Sequence, residues 1–138
     1  MKPFKFSLEK ILRIRNHHEE EAKIELGRAI SALAEIENNI ILLTQERVRV
    51  AADQYNPANS AAMIKQYMFY ILRLDSTKEQ LLRDAAQAEL KVEQAREAFI
   101  EASRERKVLD KLKEKQKKKY DKEKLAQEAK ILDEVKRR

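Results

Sequence analysis

The sequence of 138 residues has no cysteine and no tryptophan, one glycine (Gly27) and two prolines (Pro3 and Pro57). Without cysteine there can be no disulfide, no thiolate catalysis and no cysteine-based zinc site, which a reducing compartment permits. Turns consume Gly, Pro, Asn and Asp, so a chain this poor in punctuation has few of them. Aromatic residues make up only 6%. No apolar run approaches the roughly 20 residues that span a bilayer. The longest aliphatic cluster is Ile40-Ile41-Leu42-Leu43. The opening Met1-Lys2-Pro3-Phe4-Lys5-Phe6-Ser7 is charged but leads into no apolar signal core. The expected location is therefore cytoplasmic.

Catalytic equipment is missing as well. There is no glycine-rich phosphate loop and no serine set near a histidine and a carboxylate. His17 and His18 are adjacent, so on a helix they diverge by about 100° and cannot share a metal. His17 and Glu21 have i, i+4 spacing, but no further ligand converges on them. Paired carboxylates need a pocket, which a helical hairpin does not supply. The sequence thus predicts no catalytic residue, no metal, no cofactor and no small-molecule substrate: not an enzyme.

What remains is charge and helix. Charged residues are 39% and hydrophobic residues 43%, dominated by the strong helix formers Ala, Glu, Lys, Leu, Arg and Gln. That composition signals a coiled coil or long helix in one domain. The regular apolar spacing separates it from disorder. Net charge is +6 and uneven: residues 103–138 hold 15 Lys or Arg against 8 Asp or Glu. A basic end calls for an acidic protein surface, nucleic acid or anionic lipid.

Ser7 has the character of a helix N-cap, and Phe6 with Ile11 the spacing of a hydrophobic staple. From there a 3–4 spaced seam runs through Leu8, Leu12, Arg15, Glu19, Ala22, Leu26, Ala29, Leu33, Ile36, Ile40, Leu43, Arg47 and Val50, with ten of thirteen positions apolar. Gln54 to Ser60 breaks it, because Pro57 disfavours helix at Asn56 and cannot donate within one. Asn56 or Ser60 can cap the next helix. A second seam runs through Ile64, Tyr67, Ile71, Leu74, Lys78, Leu81, Ala85, Ala88, Val92, Ala95, Phe99, Ala102, Arg106 and Leu109, with twelve of fourteen positions apolar. Asp75-Ser76-Thr77 invites a break, but the register passes straight through it. Beyond Leu109 the seam stops.

The predicted fold is all-α: a long two-helix antiparallel coiled-coil hairpin with an unpaired C-terminal helical extension. Helix 1 covers about 7–53, the turn about 54–60 and helix 2 about 60–136, with residues 110–138 projecting as roughly 40 Å of bare helix. Folding about Pro57 sets Leu26 opposite Ala88, Leu33 opposite Leu81 and Leu43 opposite Ile71. It also sets Arg15 opposite Phe99 and Lys78 opposite Ile36. The break at Pro57 favours this monomer over an intermolecular coiled coil. One stripe per helix makes a thin core.

Two off-seam apolar groups exceed what a two-stranded seam can cover. Near the tip lie Ile41, Leu42, Val48, Tyr55, Met68, Phe69, Tyr70 and Leu72, and clustered exposed apolar residues mark a binding surface. At the far end Leu125, Ala129 and Leu132 recur at i, i+4, i+7, the spacing of helix-in-groove docking. Between them runs the basic stretch Lys111 to Tyr120. It is Lys-rich, Arg-poor and interleaved with acids, and it holds one aromatic, all of which argue against nucleic acid.

The opening Phe4-Lys5-Phe6-Ser7-Leu8-Glu9-Lys10-Ile11-Leu12-Arg13-Ile14-Arg15 resembles the start of the FliJ family, with its F-x-L-x-x-[VIL]-L-x-x-R pattern. The end is similar too: Glu105-Arg106-Lys107-Val108-Leu109-Asp110-Lys111-Leu112, then Tyr120, Glu128 and Leu132-Asp133-Glu134. The likeness covers essentially the whole chain. It implies a soluble, non-enzymatic part of the flagellar type III export apparatus, similar to the coiled coil of a rotary ATPase gamma stalk. The implied partners are the hexameric export ATPase, the cytoplasmic domain of the membrane export gate, and empty export chaperones, at the inner membrane's cytoplasmic side. By this resemblance the gate-facing site is Ile41, Leu42, Val48, Tyr55, Tyr67, Met68, Phe69, Tyr70 and Leu72. The ring-facing site is Phe4, Phe6, Arg13, Lys111, Lys115, Lys118, Lys119, Tyr120, Leu125, Leu132, Asp133 and Glu134. The competing readings are a basic coiled-coil adaptor for nucleic acid or ribosomes, and the equivalent stalk of a virulence-type secretion system.

Overall fold

The computed structural model describes residues 2–138. It contains two α-helices, α1 (Glu9–Gln54, 46 residues) and α2 (Ala61–Arg137, 77 residues), and no strand among the described residues. The α2 helix continues through Asp75-Ser76-Thr77, where the Thr77 hydroxyl donates to the Arg73 carbonyl at 2.9 Å and so stays within helical geometry. The chain forms two compact units. The turn unit is Ile24–Glu97, and the terminal unit is Met1–Lys23 with Ala98–Arg138.

All thirteen positions of the first predicted seam are buried or half-buried, as are all of the second except Ile64. The heptad pattern therefore identified the packed faces. Within each unit α1 and α2 pack side by side. In the terminal unit Glu9 meets Lys113 and Glu19 meets Arg106, so the helices run antiparallel there.

The turn is built by side chains that satisfy open helix ends. The Ser60 hydroxyl accepts from the Met63 amide at 3.2 Å and caps α2. Asn56 turns the chain by accepting from the Ala58 amide at 3.0 Å. The Asn59 side-chain amide donates to the carbonyls of Asp53 (2.7 Å) and Gln54 (3.4 Å) at the end of α1, where the Asp53 carbonyl also accepts from the Asn56 backbone amide at 3.2 Å.

This turn sets a register different from the one centred on Pro57. Glu9–Lys113 and Arg47–Asp75 are each equidistant from Ala61, and Leu12 shares a cluster with Leu109. Opposed residues are thus displaced by about one heptad from the expected pairs. The guanidinium of Arg15, expected opposite Phe99, donates to the Glu105 carbonyl at 2.9 Å.

The N-terminal reading also changes. α1 begins at Glu9, and Ser7 lies in the turn before it. Phe6 therefore reaches past Ile11, which stays exposed, to join Leu12 and Leu109 in a buried cluster flanked by Phe4, Leu8 and Leu112. Contacts with α2 continue to Tyr120, whose hydroxyl donates to the Lys2 carbonyl. The sequence seam ends at Leu109, but residues 2–6 cover a further stretch of α2 in a non-helical conformation. Residues 121–138 are all exposed.

Candidate interaction surfaces in the two units

In the turn unit the deepest side chain is Val50, 2% exposed. Around it Glu46, Arg49, Met63, Gln66, Tyr67 and Tyr70 line a shallow concavity. Arg49 grips Glu46 with two bonds, Nη2 to Oε1 at 2.6 Å and Nε to Oε2 at 3.0 Å, and reaches Asp53 at 3.2 Å. The Tyr70 hydroxyl donates to the same Glu46 carboxylate at 3.3 Å. Arg49's hydrogen bonds hold the Glu46 carboxyl below its ordinary pKa, and the Arg49 guanidinium is raised in turn.

A second concavity on the same pair of helices is lined by Arg47, Ala51, Gln54, Tyr55, Met68, Ile71, Leu72 and Asp75. Arg47 crosses it to Asp75, Nε to Oδ1 at 2.6 Å. Of the nine apolar residues expected at the tip, this surface gathers Tyr55, Met68 and Leu72, all exposed, with Tyr55 at 83%. Ile41 and Val48 stand seven apart and so share one line of α1, and Tyr55 follows just past the end of that helix. Leu42 and Phe69 are exposed as well. Tyr67 and Tyr70 are half-buried beside Val50 and belong to the other concavity. Sequence reasoning missed Met63 and the two arginine clamps. The clamps carry a faint local signal, since Glu46, Arg49 and Asp53 stand at i, i+3, i+7.

In the terminal unit the twelve expected residues divide. Phe6 is a core residue that also lines a shallow concavity with Phe4, Lys5, Glu9 and Lys113. Phe4 and Tyr120 pack on each other, with ring centroids 5.5 Å apart and planes at 52°. The Lys117 ammonium lies 5.3 Å from the Phe4 ring and 5.2 Å from the Tyr120 ring, a cation over two aromatic faces. Arg13, Lys111, Lys115, Lys118, Lys119, Leu125, Leu132, Asp133 and Glu134 are exposed. Leu112 and Lys117 were overlooked, though Leu112 stands one helical step from Leu109.

Across the seam of this unit Arg106 bonds Glu19, Nε to Oε2 at 2.8 Å, and also Asp110. The Arg106 hydrogen bond holds the Glu19 carboxyl below its ordinary value of 4.5, outweighing the opposing effect of desolvation. Arg47 does the same for Asp75 in the turn unit, below 3.8. A carboxyl depressed in the folded state contributes stability that is fully present above its unfolded pKa and is lost as pH falls through the folded one. Thermal melts should therefore drop between pH 7 and about pH 3. In Glu19→Gln that drop should shrink, because one titrating group is gone. An unchanged drop would show that Glu19 contributes nothing to acid sensitivity.

Among the described residues no group of acids and histidines is placed to hold a metal. His17 and Glu21 pair at 2.8 Å on an open helix surface. No described helix is long and apolar enough to cross a membrane. The two units instead present protein surfaces of different chemistry: apolar with arginine clamps beside the turn, cationic with an apolar stripe along the end of α2.

Comparison with curated proteins and with solved structures finds no match for this chain. The family model described as flagellar FliJ protein matches residues 4–138, essentially the whole chain. The chain belongs to the FliJ family, and is thereby a component of the flagellar export apparatus.

Proposed function

We propose that this protein is a non-catalytic, gamma-stalk-like element of the export machinery, with a separate partner for each unit. The terminal unit docks in the ring of the export ATPase and promotes its assembly and activity. The turn unit binds the cytoplasmic domain of the membrane export gate, and the protein takes part in handling empty export chaperones. Before assembly it is a monomer in the cytoplasm, and it joins the inner-membrane apparatus peripherally. The observation that carries this reading is the exposure of Tyr55, Val48, Met68, Phe69 and Leu72 around the turn, where packing between two helices leaves them uncovered. Apolar and aromatic side chains of that kind serve as interface anchors when a partner desolvates them.

The test is a variant with Tyr55→Ala and Phe69→Ala. Both side chains are exposed, so helicity should be unchanged. Binding to the gate domain should weaken by about 1–3 kcal/mol per anchor, while stimulation of the ATPase is retained. Tyr70 is unsuitable for this purpose because it holds Glu46. Loss of ATPase stimulation with gate binding intact would reverse the assignment of units.

A further inference from the structure

Several residues of the terminal unit expected to face the ring share one line of α2 with further cations, and that line has a chemistry of its own. Arg104, Lys107, Lys111, Lys115, Lys118 and Lys122 succeed one another at three- and four-residue steps along α2. At 100° per residue they fall within about 80° of one another around the helix, over a length of about 27 Å. All six are exposed. No acid lies in that sector between Arg104 and Lys122. Glu114, at its margin, pairs with Lys118 at 3.7 Å, and Arg104 pairs with Glu101 at 3.8 Å, both long contacts between exposed side chains. The stripe lies opposite Leu109, Lys113 and Tyr120, which face α1 and the N-terminal segment. The same steps then continue through Leu125, Ala129, Leu132 and Lys136. One line of α2 therefore passes from cationic to mainly apolar, with Leu132 at the margin of the sector and Asp133 within it, and with Leu125 at 67% and Leu132 at 61% exposure.

We infer that this line of α2 is a lipid-binding face, adsorbing lengthwise on an anionic bilayer. A row of four to eight cations on a helix is the electrostatic signature of attraction to anionic headgroups. A straight row on one helix face meets a plane all at once. Five of the six cations are lysines, compact point charges suited to mobile headgroups rather than to the fixed bidentate geometry that arginine serves. Leu125 and Leu132 give the row an apolar end that can enter the boundary between headgroups and acyl chains. Nucleic acid fits less well: the row has no aromatic to stack on bases, because Tyr120 is turned to Phe4, and the leucines would have no role.

The experiment is flotation of the full chain with vesicles of phosphatidylglycerol and phosphatidylcholine in equal parts, against vesicles of phosphatidylcholine alone. The chain should float only with the anionic vesicles and detach when salt rises from about 50 to about 500 mM. Replacing Lys107, Lys111, Lys115, Lys118 and Lys122 by Gln should weaken binding by at least about tenfold. Replacing Lys10, Lys23, Lys65, Lys91 and Arg96 by Gln removes the same charge elsewhere and should weaken it far less. The protein lacks tryptophan, so Leu125→Trp supplies a unique probe, whose emission should shift to the blue on anionic vesicles alone. Circular dichroism should show equal helicity for all variants. The inference is overturned if the chain does not float, if both Gln sets weaken binding equally, or if the probe does not shift. It is overturned too if duplex DNA at equal phosphate concentration displaces the vesicles. No ATPase is present in this assay, so its outcome is separate from that of ring docking.

Discussion

Truncation after Tyr120 is expected to leave the helix pair folded and to abolish stimulation of the export ATPase. Residues 121–138 are all exposed, and the ion pair cut is Lys117–Asp121 within α2. The cluster of Phe6, Leu12 and Leu109 keeps Leu112, and Tyr120 keeps Phe4 and the Lys2 carbonyl. Melting temperature should therefore match that of the full chain. What is lost is the line Leu125, Ala129, Leu132, an unpartnered apolar stripe of the type that docks in a groove. Truncation after Leu109 is a different experiment. It also removes Leu112, the Lys113–Glu9 pair and the Tyr120–Phe4 stack, and should lower the melting temperature as well. Full ATPase stimulation by the chain ending at Tyr120 would remove the last turns of α2 from the ring-facing surface.

Leu12→Asp should unfold the terminal unit. Leu12 is 4% exposed between Phe6 and Leu109. Truncating a buried leucine to alanine costs about 2–5 kcal/mol, and a carboxylate in that place adds the desolvation of an unpaired charge. The neighbouring cations cannot easily rescue it, since Lys113 is engaged by Glu9 and Arg15 by the Glu105 carbonyl. Hydrogen exchange is the measurement: amides of residues 106–120 should lose protection. Leu125→Asp is the control, because Leu125 is exposed and its replacement should change stability by less than about 0.5 kcal/mol. Unaltered protection in Leu12→Asp would mean that this cluster does not hold the N-terminal segment to α2.

The helices and their packed faces were legible in the sequence because both are local properties. A 3–4 apolar period defines a face wherever it occurs, and the half-burial of Arg15, Glu19, Arg47, Lys78 and Arg106 along with the apolar seam shows how far the pattern reaches. Pro57 with the surrounding Asn and Ser residues marked the turn. The surplus of apolar residues near it was legible too, since two helices can cover only one stripe each. Family membership was readable from the Phe4–Arg15 motif and the order of motifs after it.

Register was decided by tertiary structure alone. A slip of one heptad keeps every seam residue on the seam, so the apolar pattern is indifferent to it. The choice falls to contacts the pattern does not contain: Asn59 and Ser60 at the helix ends, and the cross-helix pairs Arg47–Asp75 and Glu9–Lys113. The reach of the N-terminal segment was hidden for a related reason. Residues 2–6 have no helical period, so only the folded chain shows Phe6 in the core and Phe4 against Tyr120. Sequence by itself determined which residues form helix and which face each helix buries, because 3–4 periodicity is written within a single segment. The folded chain decided which residue meets which, because that depends on a turn and on a few charged side chains far apart in the sequence.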